Sequence, residues 1–196
     1  MVEQLKQRRS KMAALHTPDC NFGTPAIDYE LMDCDGRVWT LEQCKGEKGL
    51  LIMFICNHCP YVKTIIADLV KTTNILNEHG IRTVAIMPND WDTYPEDAPS
   101  VMREFQETYN FKFPYLIDAT QQVAKQYGAV CTPDFFGYNH DLKLQYRGRF
   151  NSRGRSTEVV PSDNELERAM LMIAETGMGP THQHASIGCS IKWRDE

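Results

Sequence analysis

Leu50 to Ile55 is an unbroken apolar run of the kind that forms a strand buried on both faces. The period then changes. Val62, Ile66, Leu69, Thr73 and Leu76 fall mostly on one helical stripe, which predicts a helix over about 59–78. Gly80 suits the C′ position that ends it, and Ile81 to Met87 reads as a second buried strand. Upstream, Ile27 to Leu31 alternates apolar and polar residues, predicting a half-buried strand. Asp33-Cys34-Asp35-Gly36 makes a turn and Arg37 to Trp39 a return strand, so an N-terminal hairpin is expected. Thr40 can cap a short helical turn. Leu15 to Pro25 reads as loop, and residues 1–13 as a short charged helix.

Downstream of the second strand, Pro88 to Pro99 is a polar, proline-marked loop, and Ala98, Met102, Phe105 and Tyr109 space as a helix face. Pro114 to Ile117 reads as a short strand and Thr120 to Tyr127 as a short helix. Phe135 to Tyr138 and Leu142 to Tyr146 form a hairpin through Asn139-His140-Asp141. Ser162 is placed to cap a last helix with Glu165 at the capping-box position, and Leu166, Met170 and Ile173 are its buried stripe. A tail with Gly and Pro ends in Ser186 to Trp193. Strand–helix–strand units followed by a hairpin and a helix imply an α/β protein, with helices on the faces of a sheet and right-handed crossovers between its parallel strands.

With 196 residues, the chain is long enough for one domain with a real core. A net charge of −5 argues against a nucleic-acid partner. No apolar run approaches the roughly 18 residues of a membrane span. The charged start, Met1 to Ala14, lacks the apolar stretch of a secretory signal, which predicts a cytoplasmic protein. The seven cysteines are odd in number and scattered, unlike a secreted disulfide framework. Cys20, Cys34 and Cys44 are expected to pack as small apolar residues.

The chemistry concentrates in Cys56-Asn57-His58-Cys59, where the first buried strand hands over to the helix. Unpaired backbone N–H groups and the positive end of a helix dipole lie there, and both stabilise a thiolate. Two thiols separated by two residues on a helical turn can form a disulfide by exchange. A zinc site is the alternative, but zinc usually takes four ligands and the chain has a single Cys-x-x-Cys. His182 and His184, near Cys189, are the remaining complement.

A Cys-x-x-Cys at such a junction, with Thr132-Pro133 leading into a hairpin, resembles the thioredoxin superfamily. Gly23-Thr24-Pro25-Ala26, Leu31 and Asp35-Gly36-Arg37 look like the entry segment of its peroxiredoxin-like members. The motifs Cys-Asn-His-Cys-Pro-Tyr-Val-Lys (56–63), Phe-Pro-Tyr-Leu (113–116), Cys-Thr-Pro-Asp-Phe-Phe (131–136), Tyr-Arg-Gly-Arg (146–149) and Gly-Cys-Ser-Ile-Lys-Trp (188–193) are similar to those of the alkyl hydroperoxide reductase/thiol-specific antioxidant-like group. The resemblance covers the chain from about residue 20. It implies a thioredoxin-like fold: a central mixed sheet flanked by helices, with the N-terminal β-hairpin as an extension. The expected organisation is an arm over 1–20, the domain over 21–177 and a tail over 178–196 packed on it.

The resemblance further implies that Cys56 is the nucleophile and Cys59 the resolving thiol. Thr132-Pro133 would be a cis-proline loop facing them, with the backbone before the proline pairing with bound substrate. His58 is expected to stabilise the Cys56 thiolate and raise the reduction potential. Cys131 is either a third thiol at the site or a core residue. Cys189 is either an auxiliary resolving thiol or a packed one, with Ile187, Ile191 and Trp193 pinning the tail. Arg147, Arg149, Arg153 and Arg155 are read as a solvated charged face, with one as a candidate to polarise a peroxide.

Two departures qualify the resemblance. With Cys59 placed on a peroxidatic cysteine, the supporting threonine and proline positions become Cys56 and Ile52. From thioredoxins the chain departs at Ile55, where a tryptophan before the first cysteine is usual, and at Leu50, where they keep a buried acid. The expected function is a thiol–disulfide oxidoreductase, with a thiol-dependent peroxidase as the first alternative and a non-catalytic or zinc-binding module as the second. Expected partners are protein or small-molecule disulfides, or peroxides, together with a thiol reductant. No cofactor and no metal are expected.

Overall fold

In a computed structural model describing residues 13–154, 156 and 164–195, the chain runs through β1 (Ala14–His16), β2 (Glu30–Asp33), β3 (Val38–Thr40), α1 (Leu41–Cys44), β4 (Gly49–Phe54), α2 (Pro60–Glu78) and β5 (Ile81–Met87). It continues with a 3-10 turn (Pro95–Asp97), α3 (Pro99–Thr108), β6 (Tyr115–Ile117), α4 (Gln122–Tyr127), β7 (Cys131–Thr132), β8 (Asp134–Asn139), β9 (Leu144–Tyr146), α5 (Glu165–Thr176) and β10 (Ile187–Ser190). Seven strands form one mixed sheet in the order β3-β2-β6-β5-β4-β8-β9. β4 lies parallel to β5 and antiparallel to β8, and β5 is parallel to β6. The N-terminal hairpin extends this sheet at its edge, because β2 pairs antiparallel with β6. β1, β10 and β7 form a second, smaller sheet.

β4 explains the apolar run. Its six residues are fully buried and feed two cores. Leu51 and Met53 pack on one face with Val62, Ile66 and Leu69 of α2 and with Leu166, Met170 and Ile173 of α5. Leu50, Ile52 and Phe54 pack on the other with Val84, Ile86, Phe136, Leu41 of α1 and Tyr127 of α4. Gly80 ends the turn after α2 with φ +81°, a conformation glycine adopts without steric cost. Thr40 caps α1 in a full capping box with Gln43.

Four local expectations shift. The alternation at Ile27 to Leu31 is not where the strand forms: the N–H and C=O of Ile27 bond the hydroxyl of Tyr127 (3.1 and 2.7 Å), so backbone pairing begins at Glu30. The expected loop from Leu15 contains β1, whose three side chains are all exposed; backbone pairing with β10 alone holds it, leaving no apolar pattern to read. The second strand of the β8–β9 hairpin starts at Leu144, since Leu142 turns with φ +55°. The last helix is capped by Asn164, whose side chain accepts from the Glu167 N–H at 3.1 Å, and Glu165 is its first residue. Ser162 and the helix expected over 1–13, apart from Ala13, lie outside the described residues.

Candidate active site

β4 delivers the chain directly into the dithiol. Ile55 still donates to Ile86 O (3.1 Å), and Pro60 opens α2 at a position where a missing N–H costs nothing. Cys59 is the N-cap residue. The turn between them folds around one carboxylate. The N–H groups of Asn57 (2.9 Å) and His58 (3.3 Å) donate to Asp97 Oδ1. Asp97 Oδ2 accepts from Asn89 Nδ2 (2.8 Å) and pairs with His58 Nδ1 (2.7 Å). Asp97 is 0% exposed, and a buried charge persists only with such a set of donors. Asn57 is itself braced: its Nδ2 donates to Glu96 O (3.1 Å), and its Oδ1 accepts from Tyr115 (3.0 Å).

Thr132 contacts both sulfurs. Its Oγ1 lies 3.4 Å from Cys56 Sγ, and its carbonyl accepts from Cys59 Sγ at 3.0 Å. The Thr132–Pro133 bond is cis. The edge at Thr132, which the resemblance leaves open for substrate, is occupied by β10: Cys189 pairs with Thr132 and Ser190 with Cys131. Both the thiol and the N–H of Cys189 bond Cys59. Cys56 and Cys59 are 0% exposed and Cys189 3%.

The two sulfurs of the motif sit in opposed electrostatic settings. Burial pushes Cys56 well above the ordinary thiol range; its bond to Cys59 and the charge of Asp97 add to this, and the Thr132 hydroxyl works against it. Burial also works against a thiolate at Cys59, but the Cys189 thiol, the Cys56 thiol, the Val62 N–H and the Cys189 N–H outweigh it and bring Cys59 down to about 2. Thr132 O opposes that direction, since it receives the Cys59 proton in the neutral form. The donors outnumber it, so the negative charge of the pair belongs on Cys59.

His58 lies between the thiol and the carboxylate. Its Nδ1 lies 3.9 Å from Cys56 Sγ and 2.7 Å from Asp97 Oδ2, so the carboxylate is its nearer partner. The ring stacks on Tyr94 (5.9 Å between centroids, 7° between planes).

The other candidates fall elsewhere. Cys131 is fully buried and donates to Pro133 O (3.6 Å), and burial raises its thiol far above the usual range. Burial raises Cys20 and Cys34 to about 11 and also pushes Cys44 up. His184 pairs with Glu165 (2.8 Å) and joins no cluster with the cysteines among the described residues. The groups that could share a metal ion there are Cys56, His58 and Asp97, whose donor atoms lie within 4.8 Å of one another. The arginines are not a solvated face. Arg147 is buried on Asp134 (2.9 Å), Arg149 pairs with Glu165 (2.7 Å) and Arg153 with Asp68 (2.7 Å); Arg155 lies outside the described residues.

Sequence reasoning missed Asp97, Asn89, Tyr115 and Lys192. Lys192 is 4% exposed; its N–H donates to Asn89 Oδ1 (2.9 Å) and its Nζ to Ser190 O (2.7 Å); burial lowers its pKa, and the neighbouring sulfurs of Cys189, Cys56 and Cys59 work against that shift. The available signal was topological. Asn89 follows β5, the parallel neighbour of β4, and loops at the carboxyl ends of parallel strands converge on one crevice.

Comparison with known proteins places this site in context. A model described as the AhpC/TSA family matches residues 22–151. A crystal structure of an uncharacterized conserved protein from Geobacillus kaustophilus is 42% identical, with a TM-score of 0.87 over 94% of this chain and 98% of that one. The thiol-disulfide oxidoreductase ResA of Bacillus thuringiensis is 24% identical over 123 residues, which is 63% of this chain and 66% of that protein, just under two thirds of its length. Peroxidoxin BcpB from Mycobacterium tuberculosis shares the fold at 20% identity, with a TM-score of 0.54 over 64% of this chain and 83% of that one.

Proposed function

The chain belongs to the AhpC/TSA family, and from that premise we propose that it is a thiol–disulfide oxidoreductase working through Cys56 and Cys59. The observation that carries this reading is that the two thiols bond one another at the start of α2 while both contact Thr132. With the resting charge on Cys59, a proton passes from Cys56 Sγ to its neighbour and leaves Cys56 as the attacking thiolate. Cys56 bonds one sulfur of the substrate disulfide and the substrate S–S bond breaks. The departing thiolate takes the proton from Cys59. Cys59 then attacks Cys56 Sγ, closes the Cys56–Cys59 disulfide and releases the second substrate sulfur as a thiolate, which takes its proton from solvent. Cys59 thus serves as both proton store and resolving thiol, and the acid absent at position 50 is not needed. An external dithiol returns the pair to the reduced form. The odd, scattered cysteines favour the cytosol as the setting, which cell fractionation checks.

One observation favours a second reading. Cys59 is the sulfur with the thiolate-stabilising donors, so it can attack a peroxide oxygen directly, becoming a sulfenic acid and releasing an alcohol or water; the Cys56 thiol then condenses with it and expels water. Pre-reduced protein mixed with glutathione disulfide or with hydrogen peroxide separates the two. The first reading predicts disulfide reduction that is lost in Cys59→Ser and falls sharply in Cys56→Ser. Peroxide consumption that survives Cys56→Ser, with no disulfide reduction by the unmodified protein, overturns it in favour of the second.

A further inference from the structure

The proposed exchange uses two of three sulfurs that converge in the core. We infer that Cys189 is a third redox cysteine, and that Cys59 passes its disulfide from Cys56 to Cys189. The inference rests on the dithiol reading and extends it.

The geometry makes Cys59 the shared atom. It bonds Cys56 on one side and both the thiol and the N–H of Cys189 on the other. Thr132 fixes the arrangement: its hydroxyl holds Cys56, its carbonyl holds Cys59, and its backbone faces Cys189 across the β7–β10 pair. Gly188 lets β10 come this close, because a Cβ at that position would overlap the Thr132 carbonyl. The tail is anchored on both sides of Cys189. Thr17 N–H donates to Ser186 O (3.0 Å), Ser186 Oγ to Pro133 O (2.9 Å), Ser190 N–H to Ala13 O (2.9 Å) and Asp90 N–H to Lys192 O (2.9 Å). Cys189 is thus held at Cys59 by backbone bonds on two strands.

The step is an internal exchange. The Cys189 thiolate attacks Cys59 Sγ of the Cys56–Cys59 disulfide. The Cys59–Cys189 bond forms, the Cys56–Cys59 bond breaks, and Cys56 leaves as a thiolate that takes up the proton released by Cys189. No outside oxidant or reductant is consumed. Cys56 is restored to the thiol while the oxidising equivalents move to the C-terminal strand.

The test uses the full chain, reduced and then given one equivalent of diamide, with samples quenched in acid over time, alkylated and digested without reduction for mass spectrometry. The inference predicts that a Cys56–Cys59 linkage forms first and a Cys59–Cys189 linkage grows at its expense. In Cys56→Ser, Cys59–Cys189 is the disulfide expected. If the unmodified protein links Cys56 to Cys59 while Cys189 stays alkylated in both proteins, the third-thiol inference fails and the dithiol reading stands. If Cys56 never enters a disulfide but Cys59–Cys189 forms, the dithiol reading fails and the transfer from Cys56 fails with it. If no linkage appears, both fail. The time course of the unmodified protein decides these outcomes even where the variant does not fold.

Discussion

The flank beside Cys56 is built from side chains that carry or answer charge, whereas the flank beside Cys59 is built from backbone and sulfur. On the first, Asp97 gathers the turn N–H groups, His58 and Asn89, and its negative charge disfavours a second anion at Cys56. On the second, Val62 and Cys189 direct N–H groups at Cys59, and thiols complete its surroundings. The difference shows how two identical thiols three positions apart become chemically unlike. A buried carboxylate shapes the turn at the expense of ionisation on one side, and helix and strand N–H groups favour ionisation on the other.

Breaking the first flank should have the largest effect. Asp97→Ala strands the N–H groups of Asn57 and His58 and the amide of Asn89, and it breaks the buried pair with His58. A loss of about 3–5 kcal/mol in denaturant unfolding is expected; a loss within ~0.5 kcal/mol, the scale of an ordinary surface change, would mean that Asp97 does not organise the turn.

Loosening the second flank comes next. Gly188→Ala forces β10 away from Thr132 and should cost about 1–3 kcal/mol, as overpacking does. It should also raise the pKa of Cys59 by removing the Cys189 donors. An unchanged thiol titration in a folded variant would show that those donors do not set the charge of Cys59.

The smallest change sharpens the comparison at a single residue. Thr132→Val removes the hydroxyl at Cys56 and keeps the carbonyl at Cys59. Cys56 should become harder to ionise by about 1 kcal/mol, the scale of one net hydrogen bond, while Cys59 stays as it was. Equal effects on both sulfurs in thiol titrations would contradict the division of roles.

A redox consequence follows from the same asymmetry. Stabilising a thiolate stabilises the reduced form, so equilibration with glutathione should give a potential above the roughly −270 mV of thioredoxin. The same measurement on His58→Ala separates the contribution expected of His58 from that of the Cys59 donors.

What could be read from the sequence divides along physical lines. β4, α2 and β5 were legible because apolar periodicity reports burial directly, and the dithiol because its spacing carries its chemistry. Asp97 and Asn89 were hidden in a segment whose polarity reads as solvent exposure, although both are buried by long-range hydrogen bonds that leave no periodic trace. β1 left no trace because only its backbone pairs. The approach of Cys189 to Cys59 depends on β10 pairing with β7 some 57 positions earlier in the chain (189 − 132), which no local pattern encodes.

The account rests on the resting charge lying at Cys59, and the ultraviolet absorbance of the thiolate, followed against pH in the reduced protein and in Cys56→Ser and Cys59→Ser, tests it most directly. Cys59 is an acid depressed by folding, so its stabilising contribution is full above the unfolded thiol value of about 8.5 and is lost as pH falls toward the folded value of about 2. The account predicts one thiolate at neutral pH that persists well into the acid range, is retained in Cys56→Ser and is lost in Cys59→Ser. Absorbance that appears only above about pH 8.5, or that survives Cys59→Ser and disappears in Cys56→Ser, would contradict it.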